Sequence, residues 1–322
     1  MIKCSGKRTG FLKDIMCNPQ LYLLMLPGII FILIFSYVPI SGYLLAFKKY
    51  DITLGILRSP FTGLKNFEFF FKGNDWLRVT GNTIILNLLF IVCGMGLSVL
   101  FSLMINEIKY KRLKKIVQSS IFLPYFISWL VVDRMLYSLL STNTGLVNQM
   151  LMGMGLQKVN FYNHPDYWRT ILTVVYVFKN AGYYSVIFLG SISSLDPTYY
   201  ESAVIDGATR LQIMFRITLP LIRTTILTML LLAVGRIFYG DFGMIYGLIG
   251  DNSTLFATTD VIDTYSYRAL RKLGNFSMSS AITLYQSVFG ILSVCSISNT
   301  ARKSLHSTFS APSVTGGFRG IL

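Results

Sequence analysis

Five charged side chains stand inside otherwise apolar runs of this chain: Asp133 and Arg134, Lys179, and Arg236 with Asp241. On insertion scales a central Arg costs about 2.5–3.5 kcal/mol, while each Leu or Ile returns roughly 0.3–0.6 kcal/mol. The aliphatic residues from Ile226 to Val234 therefore barely offset Arg236. It must face a bundle interior, a partner subunit or water, rather than lipid. Tyr183, Tyr184 and Tyr239 lie close to these charges in sequence. Aromatic faces with a few polar groups suit small polar ligands such as sugars. Tyr183, Tyr184, Arg236, Tyr239 and Asp241 are thus the candidate lining of a substrate pathway. The plainer reading of the same charges is an ion pair that positions helices. Other chemistries lack their groups. His164 and His306 fall on opposite sides of the predicted membrane, and Cys4, Cys17, Cys93 and Cys295 form neither a disulfide framework nor a Cys-x-x-Cys pair. The chain has no Gly-x-x-x-x-Gly-Lys-Ser/Thr phosphate loop. Neither a nucleophilic triad nor a paired-carboxylate site is visible. No catalytic, metal or cofactor site is expected.

A second group of residues has polarity without chemistry. From Asp196 to Pro220 the chain is polar and helix-forming, yet it lies between two apolar runs long enough to cross a membrane. Asp196 suits an N-cap, and Pro197 suits a first helical position, where its missing N–H would be unpaired anyway. Thr198 to Ile205 can make two turns. Gly207, after Asp206, offers the left-handed backbone that ends a helix. A second short helix is expected from Ala208 to Arg216, with Leu219-Pro220 marking the start of the next span. Ala203 and Ala208 are small enough for close approach beside the bend. Helix, sharp turn, helix is more order than a bland loop requires; contact with another protein is the expected use, and a merely structural re-entry into the membrane is the plainer reading.

Composition dictates the elements that hold these groups. Hydrophobic residues make up 53% of the 322 and charged residues only 13%, about half the charge a soluble domain carries. Mean hydropathy is +0.56. Stretches that meet the length of a bilayer core are Leu21–Phe47, Thr83–Ile105, Ile116–Leu140, Thr170–Ser191, Thr224–Leu248 and Met278–Ser298. The first is too long, and lacks the cleavage site, for a signal peptide. Residues 1–20 then form a basic N-terminus, 21–82 the first span and outer loop, 83–300 a five-helix core, and 301–322 a tail read as partly disordered. The net charge of +15 shows no basic cluster of the kind that binds nucleic acid; it belongs to positive loops beside spans. Lys109, Lys111, Arg112, Lys114 and Lys115 crowd one short loop, and Lys3, Lys7, Arg8 and Lys13 precede the first span. The positive-inside rule puts both loop and N-terminus in the cytoplasm, and with them the C-terminus and the 196–220 segment.

Glu201-Ser202-Ala203, Asp206-Gly207-Ala208 and Ile217-Thr218-Leu219-Pro220 resemble the EAA motif of permease subunits in bacterial ATP-binding-cassette importers. Ser202 in place of Ala, and Thr224 where many members have Pro, are the departures. Phe61-Thr-Gly63-Leu64-Lys-Asn66-Phe67 with Asn82-Thr83 resembles the stretch leading into the second span of sugar-importer permeases, and Tyr22-Leu-Leu-Met-Leu-Pro27-Gly28, Leu123-Pro124-Tyr-Phe-Ile-Ser-Trp129 and Asp260-Val-Ile-Asp263-Thr-Tyr265-Ser-Tyr267-Arg268 look like the subgroup for polysaccharide or complex-oligosaccharide uptake. The resemblance implies an all-α polytopic membrane protein of six transmembrane helices, with the type I importer permease (MetI-like) fold and cytoplasmic coupling helices. Tyr200, Glu201, Ser202, Ala203, Asp206, Gly207, Ala208, Leu219 and Pro220 would carry ATPase coupling. A second homologous permease, an ATPase dimer holding ATP and magnesium, and an extracellular solute-binding lipoprotein would complete the importer in the bacterial cell membrane. The binding protein would dock on outer loops around 48–80, 141–169 and 249–277. An ion-coupled secondary transporter is the alternative. It would need broken helices in two internal repeats, which the sequence does not display, and it leaves the 196–220 segment unexplained.

Overall fold

The structure, a computed structural model, describes residues 19–309, and for Phe69 and residues 297–309 the backbone alone. The basic residues before the first span, Cys4, Cys17, the His306 side chain and the tail from 310 onward lie outside the described residues. The long helices are α1 (Pro19–Phe47), α2 (Asp75–Asn106), α3 (Lys111–Phe126), α4 (Trp129–Leu140), α5 (Pro165–Ser193), α6 (Thr198–Ile205), α7 (Arg210–Leu221), α8 (Arg223–Val234), α9 (Phe242–Ile249), α10 (Ile262–Arg271) and α11 (Phe276–Phe309). Of these, α1, α2, α5 and the stretch Phe276–Ser296 of α11 are each long and apolar enough to span a bilayer unbroken.

Two expected spans are not single helices. Ile116–Leu140 is split into α3 and α4, whose axes meet at 96°. Pro124 lacks the N–H that a continuous helix needs, Ile127 turns extended, and the Ser128 side chain accepts from the Val131 N–H to start α4 afresh. Thr224–Leu248 is likewise split, into α8 and α9, with 235–241 between them. Asp241 caps α9 by accepting from the Met244 N–H at 2.9 Å. Gly240 sits where a Cβ would meet Asp263 Oδ2 and Val261 Cγ2 at 3.0 Å. Arg236 and Asp241 therefore lie in a break, not in mid-helix.

The chain divides into two compact units. In the first, residues up to Lys72 with Ala269–Leu284, the most apolar stretch of the α1 span holds no buried residue, and only Leu45 and Ala46 near its end are buried. Its C-terminal end is closed by Asn66, whose Nδ2 donates to the carbonyls of Ala46 and Lys48, both at 2.9 Å. Gly63, with φ +61°, makes the turn that delivers Asn66. The Tyr50 N–H donates to Ser277 Oγ at 2.9 Å.

The second unit, Gly73–Arg268 with the residues from Tyr285, holds the larger core. Leu86, Phe90, Val132, Leu136, Trp168, Leu172, Met244, Ile245 and Leu248 bury one another, so that α4 and α9 pack together against α2 and α5. Phe90 stacks on Tyr176 at 4.5 Å and 11°. Gly94 leaves room for that ring, since a Cβ there would touch Tyr176 at 3.0 Å, and Ser98 is buried beside it. Gly96, by contrast, faces outward with nothing near its Cβ position. A polar knot ties the ends of these helices. The Asp260 carboxylate is wholly buried, receiving Arg268 at 2.5 Å and Thr264 at 2.8 Å, with Arg78 at 3.7 Å. Asn82 donates to the Asp260 carbonyl at 3.2 Å, and the Ile262 N–H to Thr83 Oγ1 at 3.0 Å. Asn82-Thr83 and Asp260–Arg268, distant in sequence, are thus one network.

Candidate functional site

The 196–220 segment is built by local rules. Asp196 Oδ1 accepts from the Thr198 N–H at 2.9 Å and the Thr198 hydroxyl at 2.7 Å, opening α6. Those bonds, the hydroxyl's first, hold the Asp196 carboxyl below the usual carboxylate range. At the other end the Ala208 N–H reaches the Ala203 carbonyl at 2.9 Å and the Gly207 N–H reaches Val204 at 3.1 Å. This pair of bonds is a Schellman motif, and it requires the left-handed φ of +76° found at Gly207. A capping box then starts α7. The Thr209 N–H donates to Gln212 Oε1 at 2.7 Å, and Thr209 Oγ1 accepts from the Gln212 N–H at 3.4 Å. The Thr-x-x-Gln spacing was readable in the sequence, and it moves the helix start from Ala208 to Arg210.

The second helix also ends later than expected, at Leu221 rather than Arg216. A wide turn over Ile213–Thr218 accommodates Pro220, which has no N–H to offer a regular turn. Leu219-Pro220 is therefore inside α7, and the bend of 59° falls after it, at Ile222. Met214 and Ile222 are buried with Leu103 of α2 and Ile192 of α5, and Leu219 packs against them. Each such buried side chain contributes roughly 1.5–3 kcal/mol, enough to fix the segment to the ends of three helices. Arg210 adds a long ion pair to Glu107 at 3.9 Å, and the Thr218 hydroxyl donates to Tyr200 at 3.3 Å, tying α6 to α7.

Glu201, Ser202, Asp206, Gly207 and Pro220 are exposed, Tyr200, Ala208 and Leu219 half-buried, and Ala203 buried beneath the turn. Beside them stand exposed Tyr199, Val204, Leu211 and Phe215, and Ile205 at 85% exposure. The bend thus carries an exposed apolar rim, the kind of surface that a partner protein can cover.

The candidate pathway residues separate. Tyr183 stacks on Tyr125 at 4.6 Å and 15°, with Tyr184 edge-on to it at 5.4 Å. Tyr239 instead donates its hydroxyl to Ser287 at 3.4 Å and lies over Gly290, where a Cβ would meet its ring at 2.9 Å. The break that holds Arg236 and Asp241 is pinned from three sides. Asn87 donates to the carbonyls of Ile237 and Tyr239, Gln286 donates to Phe238, and the Gly240 N–H donates to Asp263. Asp241 acts as a cap, and Arg236 is exposed with no ion pair among the described residues. Asp133 and Arg134 pair with each other at 3.5 Å. Asn87, Gln286 and Asp263 were not anticipated; an Asn or Gln inside an apolar span was the available signal. Among the described residues no group of His, Cys, Asp and Glu could hold a metal.

Membrane-length helices, two expected spans that are broken, and a two-helix bend fixed to the ends of α2 and α5 are the architecture of a polytopic membrane protein. Residues 94–303 match the family described as the binding-protein-dependent transport system inner membrane component. The chain is 34% identical over 297 residues to the polygalacturonan/rhamnogalacturonan transport system permease protein YteP of Bacillus subtilis, covering 92% of each. Protein LplB of the same organism is 31% identical over 299 residues, with 93% of each chain covered. The fold matches a crystal structure of a bacterial ABC transporter involved in the import of the acidic polysaccharide alginate, with a TM-score of 0.83 and 35% identity. That match covers 92% of this chain and 99% of the other. The same transporter in complex with an alginate pentasaccharide-bound periplasmic protein matches equally well. The chain belongs to the family of binding-protein-dependent inner membrane components, the permease subunits of ABC importers. It is a multi-pass protein of the cell membrane and not an enzyme; ATP hydrolysis belongs to a separate subunit.

Proposed function

We propose that this chain, with a second homologous permease, forms the translocation pathway for an oligosaccharide, and that Asp196–Pro220 docks on an ATPase dimer. ATP and magnesium are held by that ATPase, and this chain binds no cofactor. A solute-binding lipoprotein delivers the sugar to the opposite face, and both termini lie in the cytoplasm. One observation carries the coupling reading: a two-helix bend with an apolar exposed rim is anchored by Leu103, Ile192, Met214 and Ile222 to the ends of the long helices. A push on that rim is thereby transmitted to α2, α5 and α8 rather than absorbed by a loop. Relatives named for polygalacturonan/rhamnogalacturonan and for alginate support the oligosaccharide. Within the pathway, Tyr183 and Tyr184 supply aromatic faces, and Arg236 supplies an exposed cation at the break in the fifth span. Tyr239 and Asp241 shape that break.

The test is to purify the chain with its neighbours and ask whether an ATPase subunit co-elutes. Asp206→Arg should lower the recovered ATPase about tenfold or more, because a reversed interface charge costs at least about 1.4 kcal/mol. Normal co-elution with normal ATP-dependent uptake in that variant would remove the segment from coupling.

A further inference from the structure

We propose that Lys179 is a positioning residue whose ammonium holds the third span in its broken form. Where α3 ends, the last carbonyls have no intrahelical donor, and inside a membrane such a group is costly unless another part of the protein satisfies it. Lys179, on the middle of α5, meets that need. Its Nζ donates to the carbonyls of Tyr125 and Ile127, each at 2.6 Å. The same ammonium lies 5.3 Å from the centre of the Tyr125 ring and 5.0 Å from that of Trp129. Lys179 is only 8% exposed. A buried cation needs substitutes for its water shell, and the break provides two carbonyl dipoles and two aromatic faces. The two costs cancel at one place: the break solvates the lysine, and the lysine satisfies the break.

One turn along α5, Gly182 completes the seat. A Cβ there would overlap the Ile121 carbonyl, so only glycine lets the end of α3 lie against α5. Tyr183 then stacks on Tyr125. Beyond the break, α4 starts at the Ser128 cap and packs on α9 through Val132, Leu136, Ile245 and Leu248, while Trp129 lies against Gly243, where a Cβ would meet its ring at 3.2 Å. Holding the angle between α3 and α4 therefore also holds the second half of the fifth span. Without the lysine, the orphaned carbonyls are satisfied most simply by continuing the helix through Ile127 and Ser128, which straightens the span.

That difference is measurable. Spin labels at Leu113→Cys and Leu139→Cys, both exposed positions, are placed in the assembled transporter with the native cysteines replaced by Ser. From the helical rise, a 96° bend sets the labelled backbones roughly 24 Å apart and a straight helix roughly 39 Å. Lys179→Arg, which keeps the donors and the charge, should hold the short distance and the uptake. Lys179→Met should shift the distribution toward the long distance and lower uptake at least about tenfold, the scale of leaving a buried carbonyl unsatisfied. A Met variant that keeps the short distance overturns the proposal, whether uptake survives or is lost; loss alone would assign the charge to substrate or to Asp241. Should the Met variant not assemble, Lys179→Gln separates the cases. Assembly with the short distance supports the pin, because Gln keeps a donor without charge. Failure of Gln alongside success of Arg refutes it.

Discussion

Replacing Gly207 tests the bend by conformation alone. Its φ is +76°, and a Cβ built there would find no atom of this chain within 4 Å. Within the chain the cost of a side chain is therefore purely that of the left-handed backbone, about 1–2 kcal/mol for an ordinary L-residue and less for Asn, which visits this region more readily. Such a penalty weakens the population of the docked bend roughly 5–30-fold. Uptake and binding-protein-stimulated ATP hydrolysis in reconstituted transporter should fall in the order Gly207, Asn, Ala, Val. Side-chain size predicts a different order, because Ala is smaller than Asn and would crowd a docked partner less. If Gly207→Ala retains more coupling than Gly207→Asn, strain is not the cause and the left-handed bend is not what the partner reads.

Other perturbations separate capping, packing and charge. Gly182→Ala should depress assembly and thermal midpoint sharply, since its Cβ overlaps the Ile121 backbone, while Gly190→Ala, with open space at its Cβ, should be neutral or stabilise by about 0.5–1 kcal/mol through helix propensity; differential scanning of the purified complex compares them. Thr209→Ala removes one arm of the capping box and should cost about 0.5–2 kcal/mol locally, read as faster amide exchange over 210–214 with no change at the α4–α9 core. Asp241→Asn keeps an oxygen to cap α9 and should preserve the thermal midpoint, whereas Asp241→Ala should lose about 0.5–2 kcal/mol. For Asp196 the folded carboxyl titrates below the ordinary carboxylate value, so its contribution is present above about pH 3.9 and is lost as pH falls through the folded value. Amide exchange at the start of α6 should accelerate in that acid window, and Asp196→Ala should show the fast rate at every pH.

The shape of the 196–220 segment was legible because each of its signals is local. Asp196-Pro197, the Ala203 and Ala208 pair and Gly207 are cap and turn residues whose meaning depends on neighbours a few positions away, and the observed bonds run between those neighbours. The errors there were local too: Thr209 with Gln212 outweighed Ala208 as a helix start, and a wide turn carried the helix through Pro220. The knot at Asp260 was not legible as a knot, since its members, Arg78, Asn82, Thr83, Arg169 and Arg268, come from remote parts of the chain. Asn82-Thr83 and Asp260–Arg268 were recognisable only as motifs, and Arg78 and Arg169 belonged to none.

The broken spans show why hydropathy misread the third and fifth crossings. A sliding average scores side chains, but whether a helix continues through the bilayer depends on whether its backbone groups find partners at every position. In the sequence only Arg236 was weighed against lipid, while Lys179 was given no role of its own and Asp241 was placed in a pathway lining or an ion pair. In the folded chain each instead meets a backbone need, Lys179 at two carbonyls that end α3 and Asp241 at the N–H that begins α9. Neutral side chains do the same at the second break, where Asn87 and Gln286 donate to Ile237, Tyr239 and Phe238. A charge or amide deep in an apolar run therefore carries information about another segment, namely that some neighbouring helix is interrupted at the same depth. Read this way, the sixth-span Gln286 points to the fifth, and Lys179 on the fourth points to Pro124 and Ser128 on the third. The cost of the buried polar group and the cost of the interrupted helix are one term, counted twice when each is read alone.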